Sequence, residues 1–108
     1  RVLKHIGVDL IDVSSGALSD KQQIPVGPGY QVPFASAIKA EAEIPTSAVG
    51  MIHEAEFADE IVASGKADAV MAARAFLRNP RWALYAAEKL GVTIKWPTSL
   101  ERARTLKK

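Results

Sequence analysis

Short apolar runs alternate with amphipathic helical stretches three times along this chain, and that alternation constrains the fold more than any other feature. Val8 to Val13 is rich in β-branched residues and ends in Ser14-Ser15-Gly16. Thr46 to Val49 is shorter and leaves through Gly50-Met51-Ile52. Ala67 to Arg74 is an apolar run with a polar entry and a charged exit, the pattern of a strand buried on both faces. Each run is followed by a stretch of helical period. Strand, helix and strand in repetition predict an α/β fold whose parallel strands are joined by right-handed crossovers. Three such strands form either a small open sheet or part of a barrel. In both, ligands gather at the carboxyl ends of the strands.

The intervening segments follow from local chemistry. Val2 to Ile6 reads as the end of a helix, with Gly7 as its C′ glycine, so the chain is expected to be a piece of a longer polypeptide. Ala17 to Tyr30 contains Pro25, Gly27, Pro28 and Gly29 and is expected to be a long functional loop. A helix from Pro33 to Ala42 would place Phe34, Ile38 and Ala42 on one face. A second, from Glu54 to Ala63, would turn Phe57, Ala58 and Ile61 inward and stop at Ser64-Gly65. Asn79 is a good N-cap and Pro80 a good first residue for a third helix, which runs to Leu90 and ends at Gly91. Leu84, Ala87 and Leu90, with Trp82 or Tyr85, supply its apolar face.

The strand exits are small, polar or charged where they leave the core. Ala72-Ala73-Arg74 joins small residues, which let an anion approach backbone N–H groups, to an arginine that can clamp a phosphate with two hydrogen bonds. Gly50 offers the same close approach one strand earlier. Two such exits on successive strands suggest a phosphate site, because barrel enzymes often hold a phosphate between neighbouring strand ends and a following helix. The alternative is plain turn chemistry at Gly50 and a solvated Arg74. Other constellations are weaker. His5 and His53 have no second ligand at metal spacing, so no metal is expected. Asp9 and Asp12 face opposite sides of one strand and do not pair. Ser14-Ser15-Gly16 has no partner base, and its hydroxyls suit hydrogen bonding to a ligand or to the loop. Trp82 and Trp96 read as core or interface anchors. No catalytic acid, base or nucleophile emerges.

Composition narrows the function classes. The net charge is only +2, with the basic excess in the tail at Arg102, Arg104, Lys107 and Lys108. Dispersed charge of this kind argues against nucleic-acid binding. No apolar run is long enough to span a bilayer, so no membrane association is expected. The chain has no cysteine, which excludes disulfide and thiolate chemistry within it and fits a cytoplasmic protein.

Four blocks, taken together and in order, are specific. They are Gly7-Val8-Asp9-Leu10-Ile11-Asp12-Val13-Ser14-Ser15-Gly16, Pro28-Gly29-Tyr30-Gln31-Val32-Pro33-Phe34, Ile44-Pro45-Thr46-Ser47-Ala48-Val49-Gly50-Met51-Ile52 and Arg74-Ala75-Phe76-Leu77-Arg78-Asn79-Pro80-Arg81-Trp82. With these blocks the chain resembles the Old Yellow Enzyme family, nearest the bacterial FMN-dependent ene-reductases that include the xenobiotic reductases. The resemblance implies a TIM (β/α)8 barrel with non-covalent FMN. Residues 1–108 would be its C-terminal portion, the last three βα units, and the tail, 95–108, would reach a neighbouring subunit of a homo-oligomer. It implies an oxidoreductase that takes hydride from NADPH or NADH onto the flavin. The hydride then goes to the β-carbon of an activated alkene such as an enone, while a tyrosine protonates the other carbon.

Residue by residue, the resemblance makes Gly50 and Met51 the first phosphate-binding turn and Ala73 and Arg74 the second. The family commonly has Gly-Arg there, so Ala73 fits if its φ is negative. Ser15 and Gln31 match positions near the flavin. Arg102, in Pro97-Thr98-Ser99-Leu100-Glu101-Arg102, matches an arginine sent into the neighbouring active site, although Leu100 stands where the family often has an aromatic. The substrate-anchoring His/Asn pair, the proton-donating tyrosine and the flavin-ring contacts belong to the earlier part of the barrel. This chain alone is therefore expected to be inactive. The rival reading is a non-catalytic half-barrel whose open sheet edges drive association with a partner chain. A third is another phosphate-binding barrel enzyme.

Overall fold

A computed structural model describes residues 1–16 and 18–105. Ala17, where the long loop was expected to begin, and Leu106 to Lys108, with the basic residues Lys107 and Lys108, lie outside the described residues. The chain forms a small parallel sheet with helices, the α/β arrangement of a TIM-barrel fragment. In chain order the elements are α1 (Val2–His5), β1 (Ile11–Val13), α2 (Val32–Ala42), β2 (Thr46–Ala48), α3 (Ala55–Ala63), β3 (Ala69–Val70), α4 (Arg74–Arg78) and α5 (Trp82–Lys89). A 3₁₀ helix, Thr98–Thr105, follows. The strand order is β1-β2-β3, all parallel, with Ile11 opposite Thr46 and Ser47 opposite Ala69.

The core lies between one face of the sheet and the helices. Val13, Ala48, Val32, Ala35, Ala58, Ile61, Ile52 and Ala67 form one buried cluster, with Ile38, Phe57 and Trp82 packed against it. Ile61 is fully buried, and truncating it to alanine removes contacts worth about 2–5 kcal/mol. Side chains alternate along a strand, so Asp12 and Ser47 lie on the opposite face. They are register partners, and the Ser47 hydroxyl donates to Asp12 Oδ1 over 2.7 Å.

Three expectations are corrected. In α2 the buried positions are Val32 and Ala35, while Phe34 is 49% exposed. The helix starts one residue earlier than expected and its stripe runs through Val32, Ala35 and Ile38, which turns Phe34 away from the sheet. The strand at Ala67–Arg74 is much shorter than its apolar length suggests. Pairing ends once the Met71 N–H has donated to the Ala48 carbonyl, and Arg74 starts a helix instead of ending a strand. The helix expected from Pro80 begins at Trp82. Proline disfavours the α region for the residue before it, so Asn79 is extended and ends α4. Its Oδ1 accepts the Arg81 N–H at 3.0 Å and its carbonyl accepts the Trp82 N–H at 3.0 Å, a turn that launches α5.

At the entry end of the sheet, Asp68 ties two strands together. Its carboxylate accepts the Thr46 N–H at 2.9 Å and Lys39 Nζ at 3.0 Å, while its own N–H donates to the Thr46 carbonyl. The backbone N–H of Thr46, and then Lys39, hold the Asp68 carboxyl below the usual carboxylate range. At the exit end, Lys89 of α5 pairs with Glu56 at 3.3 Å and Glu54 at 3.4 Å, joining α5 to the start of α3.

Candidate functional site

At the carboxyl ends of β2 and β3 the chain opens a cavity of about 130 Å³. Gly50, Met51 and His53 line one side, Ala73 and Arg74 the other, and Tyr30 and Gln31 the back. Gly50 (φ +127°) and Met51 (φ +50°) follow β2 in consecutive left-handed conformations. At Gly50 the reason is steric: an added Cβ would sit 2.9 Å from Tyr30 Cε1 and 3.3 Å from Gln31 Nε2. The Gly29 N–H donates to the Gly50 carbonyl at 2.8 Å, which brings the end of the long loop, and with it the Tyr30 ring, against the turn.

The second turn needs no glycine. Ala73 has φ −93°, so its methyl group is tolerated while its N–H stays available. No acceptor among the described residues takes the backbone N–H groups of Gly50, Met51, Ala73 or Arg74. The Arg74 side chain is exposed and forms no ion pair among the described residues. Uncommitted N–H donors on two facing turns, beside a guanidinium, are suited to a small oxyanion such as a phosphoryl group.

Gln31 belongs to this arrangement in a different manner from a direct ligand. It is 4% exposed, and its Oε1 accepts both the N–H and, at 3.1 Å, the hydroxyl of Ser15. Its Nε2 donates to the Val49 carbonyl at 3.4 Å. The amide thus bridges the exits of β1 and β2. Ser15 joins the site through Gln31 and does not line the cavity itself. Arg102 lies on the 3₁₀ helix, exposed, and is not among the cavity residues. His53, exposed and one residue before the N-cap of α3, lines the cavity. Tyr30 is a cavity residue that the sequence did not single out.

Residues 1–92 match the NADH:flavin oxidoreductase / NADH oxidase family. The chain belongs to that family. Family membership implies FMN as the flavin and NAD(P)H as its reductant. The chain is similar to an NADPH dehydrogenase of Geobacillus thermodenitrificans, 52% identical over 100 residues, 93% of this chain and 29% of that protein. It is 53% identical over 100 residues to one from a Geobacillus species, again 93% of this chain and 29% of that protein. With one from Halalkalibacterium halodurans it shares 50% over 101 residues, 94% of this chain and 30% of that protein. The chain thus spans about 30% of the length of the curated relatives it matches. The donors on the two turns fit the flavin's phosphate, the one strongly anionic part of FMN.

Proposed function

We propose that this chain is the C-terminal portion of a (β/α)8-barrel flavoprotein, its last three βα units, and that Gly50-Met51 and Ala73-Arg74 hold the FMN phosphate. The observation that carries this reading is the cavity between the two turns. Among the described residues its N–H donors have no other acceptor, and Arg74 stands beside them with no ion-pair partner. Charge-assisted hydrogen bonds from such donors are about twice as strong as neutral ones. Gln31 and Ser15 hold the exits of β1 and β2 together near the flavin, with Gln31 as the strut.

The whole protein would be an ene-reductase, in which the flavin relays hydride from NADPH or NADH to the β-carbon of an activated alkene such as an enone. In that reaction the residues of this chain bind and orient. They fix one end of FMN, and the groups that contact alkene and nicotinamide come from the rest of the barrel. Arg102, on the exposed 3₁₀ helix, would extend the tail toward a neighbouring subunit of a homo-oligomer.

The test uses the full-length polypeptide that carries this sequence. Denaturing it should release one FMN per chain, and NADPH oxidation by the intact protein should accelerate when an enone is added. A colourless preparation that cannot be reconstituted with FMN would overturn the reading.

A further inference from the structure

We infer that Trp82 is a positioning residue that holds the two halves of the phosphate cavity at their working separation, an inference that rests on the phosphate reading above. The halves come from different βα units: the Met71 N–H to Ala48 carbonyl bond, 2.8 Å, joins the strands beneath them, but no hydrogen bond links the Gly50-Met51 turn to the Ala73-Arg74 turn among the described residues. Trp82 touches both. Its indole Nε1–H donates to the carbonyl of His53 at 2.8 Å, in the segment that continues from the Gly50-Met51 turn. Its ring packs on Phe76 with centroids 5.6 Å apart and planes tilted by 56°. Phe76 lies on α4, the short helix that begins at Arg74.

The geometry explains two features left over by the site itself. One is the Asn79-Pro80 elbow. Without it α4 would continue straight and carry residue 82 away from His53. With it, the turn closed by Asn79 puts Trp82 at the first position of α5, where the ring folds back onto α4. The other is the His53 carbonyl, which precedes α3 and accepts the indole N–H. A tryptophan donating to a main-chain carbonyl fixes that carbonyl whatever side chain residue 53 carries. The same ring is packed against the hydrophobic cluster, so both halves of the cavity are referred to the core through one side chain.

A positioning role for a phosphate site makes a specific prediction. FMN and riboflavin share the ring system and the ribityl chain and differ by the phosphate. Loss of Trp82 should therefore reduce the preference for FMN over riboflavin, and a general loss of stability should weaken both flavins alike. The experiment measures dissociation constants for both, by flavin fluorescence quenching, on the deflavinated full-length protein. Trp82→Phe keeps a ring against Phe76 but removes the N–H donor. It should lower the FMN preference about fivefold, the effect of one hydrogen bond, and leave riboflavin affinity unchanged. Phe76→Leu removes the ring contact, keeps the His53 bond, and should lower the preference by a smaller factor. It also serves if Trp82→Phe does not fold. Arg74→Gln is the control for the phosphate reading. If Arg74→Gln lowers the preference but neither Trp82→Phe nor Phe76→Leu does, Trp82 is only a packing residue and the inference fails. If both flavins weaken in parallel in those two variants, it fails likewise. If Arg74→Gln leaves the preference intact, the phosphate reading fails and takes the inference with it.

Discussion

Gly50 and Ala73 occupy equivalent places at the mouth of the cavity, yet they answer to opposite backbone demands. Gly50 sits at φ +127° with the Tyr30 ring where a Cβ would go, so Gly50→Ala combines backbone strain with a steric clash. It should destabilise the protein by about 1–3 kcal/mol, read as a lower urea midpoint, and should weaken FMN. Ala73 has a negative φ, and Ala73→Gly should leave FMN affinity within about twofold while lowering stability by about 0.4–1 kcal/mol through the more flexible unfolded chain. A large loss of FMN in Ala73→Gly would mean the methyl group itself contacts the ligand. Both turns were legible in the sequence as small residues at strand exits. The reason for Gly50 was not, because the Tyr30 ring is brought to it by a long-range bond from Gly29 to the Gly50 carbonyl. Trp82 was legible as a core or interface anchor, but its hydrogen bond was not. Its partner is a backbone carbonyl at His53, and no side-chain pattern marks a carbonyl.

At the scale of elements, the alternation of apolar runs and helical periods was legible because those periods are local properties of the chain. Lengths were not. The apolar run at Ala67–Arg74 predicts a long strand, but pairing stops where β2 ends, and Arg74 to Arg78 then satisfies its backbone as a helix. Asn79-Pro80, expected to open the third helix, instead ends α4, and α5 begins two residues later at Trp82. The entry end of the sheet carries a pH dependence of its own. Asp68 has its pKa lowered by the Thr46 N–H and by Lys39, so its carboxylate favours the folded state. That contribution is fully present above the unfolded carboxyl pKa of about 4. It is lost as pH falls through the lower folded value. Asp68→Asn should therefore flatten the stability profile below about pH 4 and cost stability at neutral pH, measured by thermal unfolding across a pH series. An unchanged acid limb would assign the acid sensitivity elsewhere.

For the molecule as a whole, the sheet leaves one side of β1 and one side of β3 without a partner among the described residues. Val2, Leu3 and Ile6 of the first helical turns are also exposed. Open edges and exposed apolar residues suit neighbouring βα units, and relatives more than three times as long have the chain to supply them. The 108-residue chain produced alone should accordingly show no enone reduction and no tight FMN, by absorbance after desalting. Stoichiometric flavin and turnover in that chain would contradict the assignment of the catalytic groups to the rest of the barrel. A stable, flavin-free species of this length isolated from cells would favour the half-barrel association module instead.

The most direct measurement of the central claim is a crystal structure of the full-length protein with FMN. Phosphate oxygens should lie about 2.7–3.2 Å from backbone N–H groups of the Gly50-Met51 and Ala73-Arg74 turns, with the Arg74 guanidinium on the same phosphate. A phosphate held at other strand ends, with this cavity filled by solvent, would contradict it.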